Sequence, residues 1–118
     1  MKGLTFPAWQ GPHYVTPAER LVRLGSFGLR LRWRGESDEK WDLTAELERR
    51  SAGDGMDTLT LLSLTTPGVQ LIDAEDCGFA GDVLAVVLTE VDSSSWDIRT
   101  ADRVLSEFRN HYQGTSAL

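Results

Sequence analysis

Four acidic residues, Asp73, Glu75, Asp76 and Asp82, surround Cys77 and the run Gly78-Phe79-Ala80-Gly81. Carboxylates so close together suit a calcium loop, general acid–base work, or an acidic hook for a basic partner. The calcium loop fails on position. Counted from Asp73, Glu75 stands third and Gly78 sixth, but Cys77 falls fifth and Leu84 twelfth, where a bidentate Glu is required. Cys77 as a nucleophile would need a neighbouring base. The two histidines, His13 and His111, lie in the N-terminal segment and at the end of the last predicted helix, and nothing brings either to the thiol. They form no His-x-x-x-His pair, so the sequence points to no metal site. Cys77 reads as a small half-buried hydrophobe, His13 as a loop residue, and His111 as a cation favoured at the carbonyl end of its helix.

Two further residue sets could recognise a ligand. Of the four tryptophans, Trp33 and Trp41 read as core and Trp96 as a staple at a helix start. Trp9 has no periodic context and is the candidate anchor for a partner. Arg30, Arg32 and Arg34 alternate along a predicted strand as an anion-binding strip, with Asp42, Glu46 and Glu48 expected to neutralise it. Glu90 interrupts an apolar run. Its simplest placement is the exposed end of a strand, whereas burial would raise its pKa toward the working range of a base.

The composition bounds these chemistries. The 118 residues carry 12 Lys+Arg against 18 Asp+Glu, a net charge of −6, with 41% hydrophobic residues. That is an ordinary globular balance for one domain. The acidic excess argues against gripping a nucleic-acid backbone. A single cysteine excludes an internal disulfide framework, and no apolar run approaches the roughly 20 residues that span a bilayer. The expected setting is cytoplasmic, without membrane or nucleic-acid contact. There is no nucleophile elbow, phosphate loop or dinucleotide fingerprint.

The elements that must position these residues follow from periodicity. Thr16-Pro17-Ala18-Glu19 starts a helix, with Glu19 completing a capping box and Gly25 stopping it, so the spacing predicts helix over 17–24. Phe27, Leu29, Leu31 and Trp33 alternate with polar or small residues, and so do Trp41, Leu43, Ala45 and Leu47. These two runs predict a hairpin in which Trp33 faces Trp41 and Arg32 faces Asp42. Residues 51–56 read as a turn. Residues 57–65 read as a third strand whose phase change calls for a bulge, 69–72 as a short strand, and 82–91 as a central strand. Ile98, Ala101, Leu105, Phe108 and Tyr112 predict a long last helix, begun by Ser94 and Asp97 and ended by Gly114.

The expected fold is α+β: an antiparallel sheet of four to five strands with a short N-terminal and a longer C-terminal helix on one face. Residues 1–15 read as an extended segment, 16–113 as the domain and 114–118 as a tail. The functional expectation is a small acidic protein-binding module without catalytic residues or cofactors, resembling an immunity or inhibitor protein in its charge. Its contacts to a basic protein partner would be Asp73, Glu75, Asp76, Asp82 and Trp9. The alternative is a small-ligand binder or cofactor-free enzyme with a pocket lined by Phe27, Trp33, Trp41, Glu90 and Tyr112, where Asp73 or Glu90 would supply a base. The doubly apolar strand over 82–91 also suits a homodimer. Light scattering at micromolar concentration tests that last expectation, and a species of 13.1 kDa rules the dimer out.

Overall fold

A computed structural model describes residues 1–36, 49–65, 74–92 and 94–118, with the side chains of Glu36, Leu64 and Thr65 left aside. Among the described residues, seven strands form one antiparallel sheet: β1 (Lys2–Pro7), β4 (Arg32–Glu36), β5 (Met56–Asp57), β6 (Glu75–Ala80), β7 (Val83–Val91), β8 (Ser95–Thr100) and β9 (Ser116–Ala117). Their order across the sheet is β5-β4-β6-β7-β8-β1-β9. A separate two-stranded hairpin pairs β2 (Trp9–Gln10) with β3 (His13–Tyr14). The described helices include α1 (Pro17–Arg23), α2 (Gly25–Leu29), α3 (Thr58–Thr65) and α4 (Asp102–His111). The class is α+β, and the Cα radius of gyration of 13.2 Å is that of one folded domain of this length, about 13–14 Å.

The register places the core on one face of the sheet. Trp33 lies opposite Gly78, and Gly78 opposite Val86; Asp76 faces Leu88, Leu88 faces Ile98, and Ile98 faces Leu4; Glu90 faces Trp96, and Trp96 faces Phe6. All are buried, and Leu21, Leu24, Leu61, Val104, Leu105 and Phe108 from the helices join the apolar ones in a single cluster. Gly78 is small for a reason. A Cβ there would come within 2.8 Å of Val86 Cγ1 and 3.1 Å of the Trp33 ring. The expected central strand over 82–91 is β7, fourth of the seven in the sheet.

Several expectations are corrected. Residues 25–29 turn as a short helix, because Gly25 adopts φ +62° and Gly28 packs closely against Leu24. Phe27 is therefore half-buried and Leu29 exposed, and the in–out alternation begins only at Leu31. The predicted partner strand 41–48, with Trp41, lies outside the described residues, as does the strand over 69–72. Trp33 has Met56 on one flank and Gly78 on the other, so the expected Trp33–Trp41 register does not hold.

Residues 58–65 are helix, not strand. Asp57 caps this helix by accepting from the Thr60 N–H at 2.7 Å. Thr58 and Leu61 are buried and Leu62 half-buried, a three- and four-residue spacing that mimics a strand changing phase. The long last helix is also divided. Trp96, Ile98 and Thr100 alternate inward as β8, and α4 begins only at Asp102. Segment 1–15 is no periphery: Leu4 and Phe6 of β1 are core residues, and β9 from the expected tail pairs with β1.

Gly78→Ala should lower stability by about 1–3 kcal/mol by overpacking against Trp33 and Val86. Urea denaturation would show a reduced midpoint at unchanged slope; unchanged stability would mean the Trp33–Gly78 contact is loose.

Candidate functional site

Three charged residues lie buried inside the molecule. Arg20, on α1, is 1% exposed, and its guanidinium sits 3.1 Å above the centre of the Trp96 ring. Asp76 on β6 and Glu90 on β7 are also buried, and both act electrostatically on Arg20. Among the described residues, Arg20 Nε and Nη1 have no hydrogen-bond partner. Donors left this way in a dry interior are uncommon and destabilising. Burial lowers the Arg20 pKa to about 10, against the raising effect of Asp76 and Glu90, so it stays charged at neutral pH. Burial also raises Asp76 to about 6, with Arg20 opposing. One cation thus faces two carboxylates, and a proton on Asp76 neutralises the surplus.

Thr16 explains how α1 delivers Arg20. Its side chain accepts from the Glu19 N–H at 3.1 Å, and Pro17 needs no donor at the helix start. The Glu19 carboxylate faces elsewhere, to His13 Nε2 at 2.5 Å and to the donating Tyr112 hydroxyl at 2.5 Å. Burial and the Glu19 acceptor hold the proton on Tyr112. Arg23 donates to His111 Nε2 at 2.8 Å, which ties the end of α4 to α1. Trp96 Nε1 donates to the Val15 carbonyl at 2.8 Å, pinning the chain just ahead of α1.

Over this cluster lies the β2–β3 hairpin. The Tyr14 hydroxyl donates to Glu90 Oε1 at 3.0 Å, and the Tyr14 ring meets Trp9 with centroids 5.2 Å apart. Trp9 itself is 51% exposed, the sole aromatic among the large exposed apolar residues described. Gln10 fixes the hairpin by donating to the carbonyls of Pro7 and Gln113 and accepting from the Gln113 N–H at 2.8 Å.

A second feature opens on the opposite face of the sheet. Two adjoining hollows, about 690 and 390 Å³, share Arg34 and Phe79; among the described residues Arg32, Asp54 and Asp82 line the larger, and Ser51, Glu75 and Cys77 the smaller. Arg32 donates to the carbonyls of Asp54 and Gly55, and Arg34 to those of Ser51 and Gly53, so the two guanidinia clamp the 51–55 turn. No carboxylate among the described residues lies within 4 Å of either.

The proposed contact set is therefore scattered. Asp73 and Trp41 lie outside the described residues. Asp76, expected on the surface, is buried, because β6 turns it inward opposite Leu88. Glu75 and Asp82 line the outer hollows, and Trp9 stands on the hairpin. Glu90 is 1% exposed, contrary to its simplest placement. Nor do the expected pocket residues line one cavity. Trp33 is core and donates to Thr58 Oγ1 at 2.8 Å, Tyr112 stacks on Phe6 with centroids 4.5 Å apart, and Phe27 borders a groove beside Arg103. Arg20 falls between Glu19 and Leu21 on the inward side of a short helix, and no local pattern distinguishes it from a solvent-facing arginine.

Among the described residues no cluster of three or more His, Cys, Asp or Glu is placed to hold a metal ion. No described helix is long and apolar enough to cross a membrane. Comparison with known protein families, curated proteins and solved structures finds no match for this chain.

Arg20→Met should destabilise the fold at pH 7 by about 3–5 kcal/mol, since it leaves two buried carboxylates without their cation. The loss should shrink at pH 5, where Asp76 takes a proton. Denaturation at both pH values measures this, and equal stability of variant and native chain at pH 7 would remove the argument.

Proposed function

We propose that the chain is a non-catalytic protein-binding module that docks a basic protein partner through Trp9. The observation that carries this reading is an exposed indole held rigid. Trp9 packs on Tyr14, Tyr14 is fixed to Glu90, and Gln10 bonds across to residue 113. A preordered aromatic anchor loses little entropy when it inserts into a partner's pocket. Charge supplies the sign of the partner. Residues 36–48 contain six acids and one lysine, 1 − 6 = −5 of the total −6. Such an excess steers basic molecules over a range set by salt.

A second reading, favoured by the adjoining hollows beside Arg32, Arg34 and Phe79, is a small-ligand binder. Ordinary pockets for small ligands fall in this size range. Among the described residues, none of the expected pocket residues lines these hollows. A homodimer, with a second copy as the partner of Trp9, is a third outcome of the same experiment.

The immobilised chain should retain a basic protein from a lysate of its source, with retention falling as salt rises. Trp9→Ala should reduce it by about tenfold or more, the scale of an interface hot spot of 2 kcal/mol, without changing thermal stability. Equal retention by native chain and variant, or capture of further copies of the chain alone, would overturn the reading.

A further inference from the structure

The cluster under the hairpin has more to do than hold the fold together. Arg20, Asp76 and Glu90 are buried with one positive and two negative charges when fully ionised. Two Arg20 donors have no partner among the described residues, so the surroundings do not fully satisfy the cation. β2 and β3 pair with each other and stand outside the seven-stranded sheet, so the hairpin can shift without breaking that ladder. One tie to the cluster is the Tyr14 hydroxyl on Glu90, and the same Tyr14 ring supports Trp9.

We propose that the Arg20–Asp76–Glu90 cluster is a proton-coupled latch: with one proton bound it seats the Trp9–Tyr14 hairpin, and losing that proton loosens it. Loosening lets water reach the surplus carboxylate, which the dry interior disfavours. The seated form therefore binds the proton more tightly than the loosened one, and raising the pH favours loosening. Asp76 is the group that titrates, because burial raises it to about 6 from 3.8. Between those limits the ratio of loosened to seated forms should rise on the order of 100-fold.

Other groups surround the latch. Glu75 adds to the negative field at Asp76, and Tyr14 and Tyr112 lie in the field of Arg20. On α1, Glu19 is engaged by His13 and Tyr112, and Arg23 by His111. The two histidines thus act on neighbours of Arg20 and must be controlled for. The latch regulates the anchor on which the proposed docking rests, but its test contains no partner, so either idea can fail alone.

Amide hydrogen exchange of the isolated chain, corrected for intrinsic rates, reads the latch directly. Protection of the hairpin amides, including the Val15 N–H bonded to the Ala8 carbonyl at 2.8 Å, should fall on the order of tenfold between pH 5 and 7.5. At pH 7.5 these amides should be less protected than those of β7 and β8. Asp76→Asn should keep the acid-level protection at both pH values, and Glu90→Gln, which also leaves the cluster neutral, should do the same. His13→Asn and His111→Asn should retain the step. A flat native profile, the same step in Asp76→Asn and Glu90→Gln, its loss in either histidine variant, or equal protection of hairpin and central strands at pH 7.5 would overturn the proposal.

Discussion

The buried Arg20 ties layers of this protein together. Arg20 leaves α1, sits over the Trp96 ring of β8, and answers the carboxylates of β6 and β7. A guanidinium suits the position because it is weakly hydrated and stacks well on an indole. The same group makes the arrangement demanding. Apolar side chains of like volume would fill the space at less electrostatic penalty, so a buried ionic cluster is poor evidence of stability for its own sake. Clusters of this kind concentrate where proteins bind or respond, which is why the region under the hairpin carries the functional reading.

The two faces of the sheet divide the labour. One face holds the apolar core, from Trp33 over Gly78 to Val86 and from Leu88 through Ile98 to Leu4. The other carries Glu75, Cys77 and Phe79 half-buried, beside the arginines that grip the 51–55 turn. Arg32 and Arg34 use their donors on backbone carbonyls, so this face is fixed by hydrogen bonds more than by opposed charges. The anion strip expected from the alternating arginines thus serves in part to hold a loop.

The sequence made some of this legible and concealed the rest. The start of α1 was readable because capping is local: Thr16 and Pro17 suffice. So was β7, since an apolar run over Val83–Leu88 that is rich in Val has few other uses. Failures came where two periods coincide. In residues 57–65, leucines at 59, 61, 62 and 64 fit a bulged strand as well as a helix, and the Asp57 cap decided between them. From Ile98 to Leu105 a strand and a helix meet end to end, and their inward residues happen to keep helical spacing across the joint. Burial of Asp76 and Glu90 was hidden for a different reason. Both depend on an arginine more than 50 positions away in the chain, a pairing that no local pattern encodes.

The account stands on Asp76 being held in the interior beside Arg20, and carboxyl NMR titration of the native chain measures this most directly. The Asp76 signal should titrate near pH 6, as burial requires, and move higher still when Arg20 is replaced by Met. A midpoint in the ordinary aspartate range near 4, unmoved by that replacement, would contradict it.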